Sequence, residues 1–226
     1  MRTPPIVLLI LAIASPHPPL TAQTDDARAV VAAAAERYAD FHTLCAEFRQ
    51  TLTASVLGRE TRSAGELCQK RPNLFAMEFS DPAGDRIVVD GEWAWVWYRS
   101  INPETVIRIP LDPTRGGFDF YREFLENPLE RYAISDGARE TIEGETMVRV
   151  RLVPHTPRGY TAATVWIDPG RSLIRRVSIE EESGNRRTVT LRDIRPGVEI
   201  PEGTFTFVVP RGVQITGPGR RHGGSR

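Results

Sequence analysis

The feature that most constrains this chain is a two-residue alternation of apolar and polar side chains, which starts after residue 46 and recurs almost to the end. Successive side chains of a strand point to opposite faces, so each such run makes one dry face and one wet face. Residues 48–55 and 61–69 flank a turn at Leu57-Gly58-Arg59 and read as a hairpin. Runs at 74–79, 86–90, 92–99 and 105–110 follow, with turns at Asp81-Pro82-Ala83-Gly84-Asp85 and Asp90-Gly91. Further runs lie at 133–134, 145–154, 161–168, 173–181, 187–194 and 204–208. Gly144, Asp168-Pro169-Gly170, Ser183-Gly184-Asn185 and Pro196-Gly197 separate them. Turns this tight join only antiparallel neighbours, because parallel pairing needs a long crossover. The expectation is a mainly β domain of about ten or eleven antiparallel strands. A meander of that length must curl, close or be covered.

Two stretches break the alternation. Residues 24–44 carry Asp25 and Asp26 as capping residues, then Val30, Ala34, Tyr38 and Phe41 on one face, the pattern of an amphipathic helix. Residues 118–126 form a short helical segment, apolar nearly all round through Phe118, Phe120, Tyr121, Phe124 and Leu125. It sits between Gly116-Gly117 and Asn127-Pro128. A short apolar helix on glycine hinges reads as a lid.

The ends are read separately from the fold. Arg2, the apolar run over residues 6–14 and the small residues ending at Ala22 have the form of a secretory signal peptide, too short to span a bilayer. The expected division is a leader over 1–22, one domain over 23–216 and a Gly- and Arg-rich tail over 217–226. Basic and acidic residues balance at 29 each, which leaves no bulk charge to attract nucleic acid. Export places Cys45 and Cys68 in an oxidising compartment, where two cysteines form a disulfide more readily than a metal site. The hairpin brings residues near 45 and 68 roughly opposite each other, so a bridge would clamp the end of the first helix onto the second strand. Two free buried thiols are the other reading.

No catalytic constellation emerges. His42 and His155 have no nucleophile signature nearby, and there is no phosphate-cradling glycine loop or metal-ligand spacing. Glu180-Glu181-Glu182 alternate across a strand and read as a solvated hairpin end. The chain is therefore not expected to be an enzyme or to need a cofactor. Large apolar groups at strand spacing stand out instead: Phe75, Met77 and Phe79 on one run, Trp93, Trp95 and Trp97 on another. They read either as a core under a helix or as a concave apolar surface for a greasy ligand.

The run Lys70-Arg71-Pro72-Asn73-Leu74-Phe75, with Met77-Glu78-Phe79, Val88-Val89-Asp90-Gly91 and Trp95, resembles the periplasmic outer-membrane lipoprotein carrier family, LolA. So do Phe205-Thr206-Phe207 and Pro210-Arg211-Gly212-Val213 near the end, and residues 112–134 are similar to the family's helical lid segment. The resemblance spans about residues 25–215. It implies an incomplete antiparallel β-barrel with helices over its open mouth and an apolar cavity for the acyl chains of lipoproteins. On this basis Phe75, Met77, Trp93, Trp95, Trp97, Phe118, Phe120, Phe124 and Leu125 would line the cavity, and Arg71 would hold the lid shut through backbone carbonyls. The implied partners are acylated lipoproteins, an inner-membrane lipoprotein-releasing ABC transporter and an outer-membrane receptor lipoprotein, with a soluble periplasmic monomer shuttling between them. A periplasmic lipid or lipoprotein sensor of the same fold is the alternative, and an apolar assembly module without a ligand is a third. The cysteine pair and the acidic hairpin end depart from the family pattern. The family's receptor branch carries a lipidated cysteine at the mature N-terminus, and the sequence after Ala22 has none.

Overall fold

The computed structural model describes residues 25–56, 58–111 and 119–217. The leader over 1–22 and the tail beyond Gly217 lie outside the described residues. Helix α1 (Ala27–Ala39) starts at Asp26, whose side chain accepts from the backbone N–H groups of Arg28 and Ala29. Ala27, Val31, Ala34 and Tyr38 recur at helical spacing and form its buried face. The helix ends before residue 44 because β1 (Thr43–Ala54) is already paired on both sides from its first residues. Strands β2 (Arg59–Lys70), β3 (Leu74–Asp81), β4 (Ala83–Asp90), β5 (Trp93–Trp97) and β6 (Thr105–Pro110) then meander by antiparallel pairing.

Helix α2 (Phe120–Leu125) and a second short helix, α3 (Pro128–Arg131), follow β6. The Asn127-Pro128 pair stops α2 as expected, but Pro128 also opens α3, because its fixed φ and missing N–H suit a first helical turn. Strands β7 (Tyr132–Ile142), β8 (Glu145–Pro154), β9 (Tyr160–Asp168), β10 (Leu173–Glu181) and β11 (Arg186–Pro196) form a second meander. The last of these pairs with β1, so one sheet runs β6-β5-β4-β3-β2-β1-β11-β10-β9-β8-β7. A short strand β12 (Gln214–Thr216) adds in parallel beside β6. The sheet curls but stays open, since β7 and β12 lie at opposite edges of the strand order.

Residues 204–208, expected as a strand, are irregular. Phe207 of this segment packs on the outer face of the sheet, and its N–H groups close turns such as Thr206 to Gly203 instead of joining a ladder. Cys45 and Cys68 are bonded, with Cα atoms 4.1 Å apart. They are directly paired across β1 and β2, so the bridge staples two strands and not a helix end to a strand.

The core lies on the concave face. Leu44, Ala46 and Phe48 of β1, Leu67 of β2 and Phe75, Met77 and Phe79 of β3 join Val148, Val150, Leu152, Val165, Ile174 and Leu191 from the other half. Helices α1 and α2 close over this face, and their apolar side chains complete the cluster.

Candidate functional site

The site is the concave face and the helices that cover it. From α1, Tyr38 stacks on Tyr121 of α2, with ring centroids 5.1 Å apart and planes 13° from parallel. Tyr121, Phe124 and Leu125 turn inward and are almost fully buried. The Tyr121 hydroxyl donates to the carbonyl of Ile174 at 3.2 Å, and the Phe124 ring leans on Tyr132 and Tyr160. Burying one such side chain yields roughly 1.5–3 kcal/mol, so the cover is held down mainly by its own apolar face.

Polar contacts then fix where the cover sits. Asp119 caps α2, accepting from the Arg122 backbone N–H at 3.0 Å, and also accepts from the Tyr38 hydroxyl at 3.1 Å. Gln69 of β2 donates its side-chain amide to the same hydroxyl at 3.2 Å. Sheet, α1 and α2 are thereby tied through three buried polar side chains. Burial penalises the Asp119 carboxylate by more than its hydrogen bonds restore, and its pKa is pushed up to about 6. Burial and the neighbouring Asp119 carboxylate also push the Tyr38 hydroxyl up.

Arg71 stands at the rim. Its Nη1 lies 3.4 Å from the Tyr38 carbonyl and 3.3 Å from that of Ala39, and its guanidinium sits 5.0 Å from the centre of the Tyr38 ring. The family resemblance implied contacts from Arg71 to backbone carbonyls of the lid; the carbonyls it reaches are these two. They belong to the end of α1, however, and not to the mid-chain segment over 112–134. Helix α1 ends with its last carbonyls unpaired, which is where a cation is stabilised. Beside Arg71, a groove of about 570 Å³ runs between α1 and the α2–α3 segment, with Ala35, Leu125, Pro128 and Leu129 among its walls.

Phe75 and Met77 lie on the concave face, as do Phe124 and Leu125 from α2. Phe118 and the side chain of Phe120 lie outside the described residues. The three tryptophans must be reassigned. Strand β4 stands between β3 and β5, and its register pairs Phe75 with Val89 and Val89 with Ala94, Met77 with Ile87 and Ile87 with Val96. Ala94 and Val96 are therefore the inward residues of β5. Trp95 shares the outer face with Val88 and Ala76, alongside Trp93 and Trp97. Phe207 stacks on Trp95 at 5.5 Å, and Val209 and Val213 complete this separate cluster. Two runs with the same alternation do not by themselves reveal which parity faces in.

Tyr38, Gln69, Tyr121 and Asp119 were not singled out from sequence as site residues. Gln69 carried a usable signal. In a strand where Cys68 faces out, its neighbours face in, and an inward amide needs a partner. Among the described residues no group of three His, Cys, Asp or Glu side chains is placed to hold a metal ion.

An open antiparallel sheet curled round an apolar face, under helices tied down by side-chain contacts, defines an open half-barrel with a helical cover. A solved structure of an uncharacterized conserved protein from Thermus thermophilus shares this fold. It shows 10% identity and a TM-score of 0.52, over 85% of this chain and 99% of that one. The family profile for the outer membrane lipoprotein carrier protein LolA matches residues 39–115. An outer-membrane lipoprotein carrier protein of Haemophilus influenzae is 39% identical over 179 residues, 79% of this chain and 82% of that protein. One from Serratia proteamaculans is 24% identical, over 79% of this chain and 83% of its own length. The chain belongs to the LolA family of outer-membrane lipoprotein carrier proteins.

Proposed function

We propose that this protein is an exported, periplasmic carrier that takes up the acyl chains of lipoproteins and shields them from water between the inner and outer membranes. The observation that carries this reading is the concave face itself. Its apolar lining is continuous from β3 through β1 to β8, and its cover is attached by apolar packing and side-chain contacts that can be broken and remade. Acyl chains would replace the inward side chains of α1 and α2, and Arg71 would act as a latch on α1. A carrier of this kind needs a donor that loads it, an inner-membrane lipoprotein-releasing ABC transporter, and an acceptor, an outer-membrane receptor lipoprotein. The family membership and the names of the relatives support the same reading. Its chemistry is binding and release, with no bond made or broken.

The test is direct. The protein is purified from a periplasm in which it is expressed and analysed by native mass spectrometry, alongside titration with a fluorescent triacylated lipopeptide. Co-purified acylated protein and saturable lipopeptide binding are expected. Clean apoprotein that also fails to bind the lipopeptide would remove the proposal.

A further inference from the structure

A second buried cluster surrounds Glu123 of α2. Glu123 points inward and is only 6% exposed. Its Oε1 accepts from the Tyr160 hydroxyl at 2.6 Å and lies 3.2 Å from Nη1 of Arg158. Its Oε2 accepts from Nη2 of Arg131 at 3.2 Å. The Tyr132 hydroxyl sits 2.8 Å from the Glu123 carbonyl and 2.8 Å from the Tyr160 hydroxyl. Arg131 also donates to the carbonyls of Arg122, within α2, and of Glu126, its C-cap, at 3.1 and 2.9 Å. One carboxylate and three backbone carbonyls of a six-residue helix and its C-cap are thus gripped by groups from α3, β7, β9 and the segment just before β9.

Apolar packing alone would suffice to keep α2 down. Against a well-packed apolar replacement a buried ion pair adds little net stability, but taking one partner away leaves the other charge buried and unpaired, which is costly. The pair's effect is to make one closed position of α2 more favourable than any partly lifted one. The contacts form together at one position of α2, and when α2 lifts all three charged groups return to water. Phe124 and Leu125, which occupy the concave face, directly follow Glu123 in the same helix and move with it. Cargo that displaces those two side chains must first pull Glu123 from its cluster.

Resting on the carrier reading above, we propose that Glu123, held by Arg131, Arg158, Tyr132 and Tyr160, is the latch of α2 and sets how tightly acylated cargo is retained. Helix α1 is held by Arg71 and α2 by this cluster, so the cover has two fastenings, one on each helix. When cargo binds only the open form, apparent affinity is reduced by the fraction that is open. A weaker latch therefore retains cargo longer.

Tyr160→Phe removes the 2.6 Å bond and keeps the ring that packs on Phe124. Loss of a hydrogen bond to a carboxylate should raise the open fraction about ten-fold. Two readouts are taken on the full chain: amide hydrogen exchange over residues 120–131 without ligand, and the dissociation constant for a fluorescent triacylated lipopeptide. Both are expected to change about ten-fold, exchange becoming faster and binding tighter, and Glu123→Gln should shift both in the same direction. Unchanged exchange in Tyr160→Phe overturns the latch. Faster exchange with affinity within two-fold of wild type, or a lowered melting temperature alone, makes the cluster a structural support and overturns its role in retention. Wild-type protein that takes up no lipopeptide refutes the carrier reading itself, and that failure is seen before any variant is made.

Discussion

Replacing Arg71 by Leu tests the fastening on α1 with a magnitude that can be worked from the contacts. The guanidinium makes two long hydrogen bonds, at 3.4 and 3.3 Å, to the last carbonyls of α1. At that length and partial exposure they contribute about 0.5 kcal/mol each, the low end for such bonds. A cation at a helix C-terminus adds about 0.5 kcal/mol, and its stacking over the Tyr38 ring adds about 0.5 kcal/mol more. The total is about 2 kcal/mol, roughly a thirty-fold change in the balance between closed and open cover. Leu cannot reach the carbonyls, but it packs against the apolar wall of the groove, so the fold should survive. The assay is the rate at which a fluorescent triacylated lipopeptide leaves the protein for acceptor vesicles, measured for wild type, Arg71→Leu and Arg71→Lys. Retention should lengthen by about thirty-fold in the Leu variant, and by less in the Lys variant, which keeps a donor but loses the flat stacked group. Rates within two-fold for all three proteins would show that the end of α1 does not govern release.

Breaking the Cys45–Cys68 bridge by reduction, or by changing both residues to Ala, frees a loop of 23 residues in sequence separation. A loss of about 3 kcal/mol is expected, read in thermal melts as a fall of about 6–12 °C. Phe207→Ala should uncover Trp95 and shift tryptophan emission to the red. Lipopeptide affinity should not change, since this pair lies on the face away from the concave side; altered affinity would contradict that placement. Asp119 binds its proton more tightly folded, at about 6, than its ordinary value of 3.8, so the native state holds more protons between those values. Its contribution makes the protein more stable as pH falls from 7 to 4, by up to about 3 kcal/mol, and is lost as pH rises through 6. The Tyr38 hydroxyl, the Arg122 guanidinium and the backbone N–H groups of Tyr121 and Arg122 are the groups that act on it. Asp119→Asn should flatten this part of the stability profile relative to wild type in chemical denaturation at several pH values.

The strands were legible because their cause is local. A half-buried strand alternates, a tight turn needs residues such as Asp90-Gly91, and both are written in consecutive residues. The hairpin brought Cys45 and Cys68 roughly opposite each other, and the bridge forms there, though between two strands and not from a helix end. The face of the tryptophan row did not, because parity is inherited through a neighbouring strand. One residue of register in β4 decides whether Trp95 or Val96 faces inward, and no local signal in β5 carries that information. Strand β12 and the irregular crossing at Phe207 were hidden for the same reason, since each depends on what it packs against. The cover was half legible. Its apolar residues were plain from the helix, whereas nothing local marks Glu123 and Asp119, whose partners Tyr160, Arg158 and Tyr38 come from distant parts of the chain.

The filled interior explains how a carrier of this design could let go. Three acyl chains carry about 40 methylenes, which at about 0.8 kcal/mol each would amount to about 30 kcal/mol on complete burial. Non-covalent affinities saturate near 18–21 kcal/mol, and a complex at that limit would not dissociate on any useful timescale. In the closed form, Tyr121, Phe124 and Leu125 already occupy the concave face, and Tyr38, Gln69 and Asp119 are already paired. On the proposed carrier reading, uptake would exchange one set of buried apolar groups for another and unpair the polar groups that hold the cover. Each displaced aromatic and each broken tie subtracts from the gross gain, and closing the emptied protein returns it. A preformed empty cavity would bind more tightly and release far more slowly. Changes that loosen the cover should accordingly raise affinity and slow delivery together, and a variant that bound more tightly yet delivered faster would break this coupling.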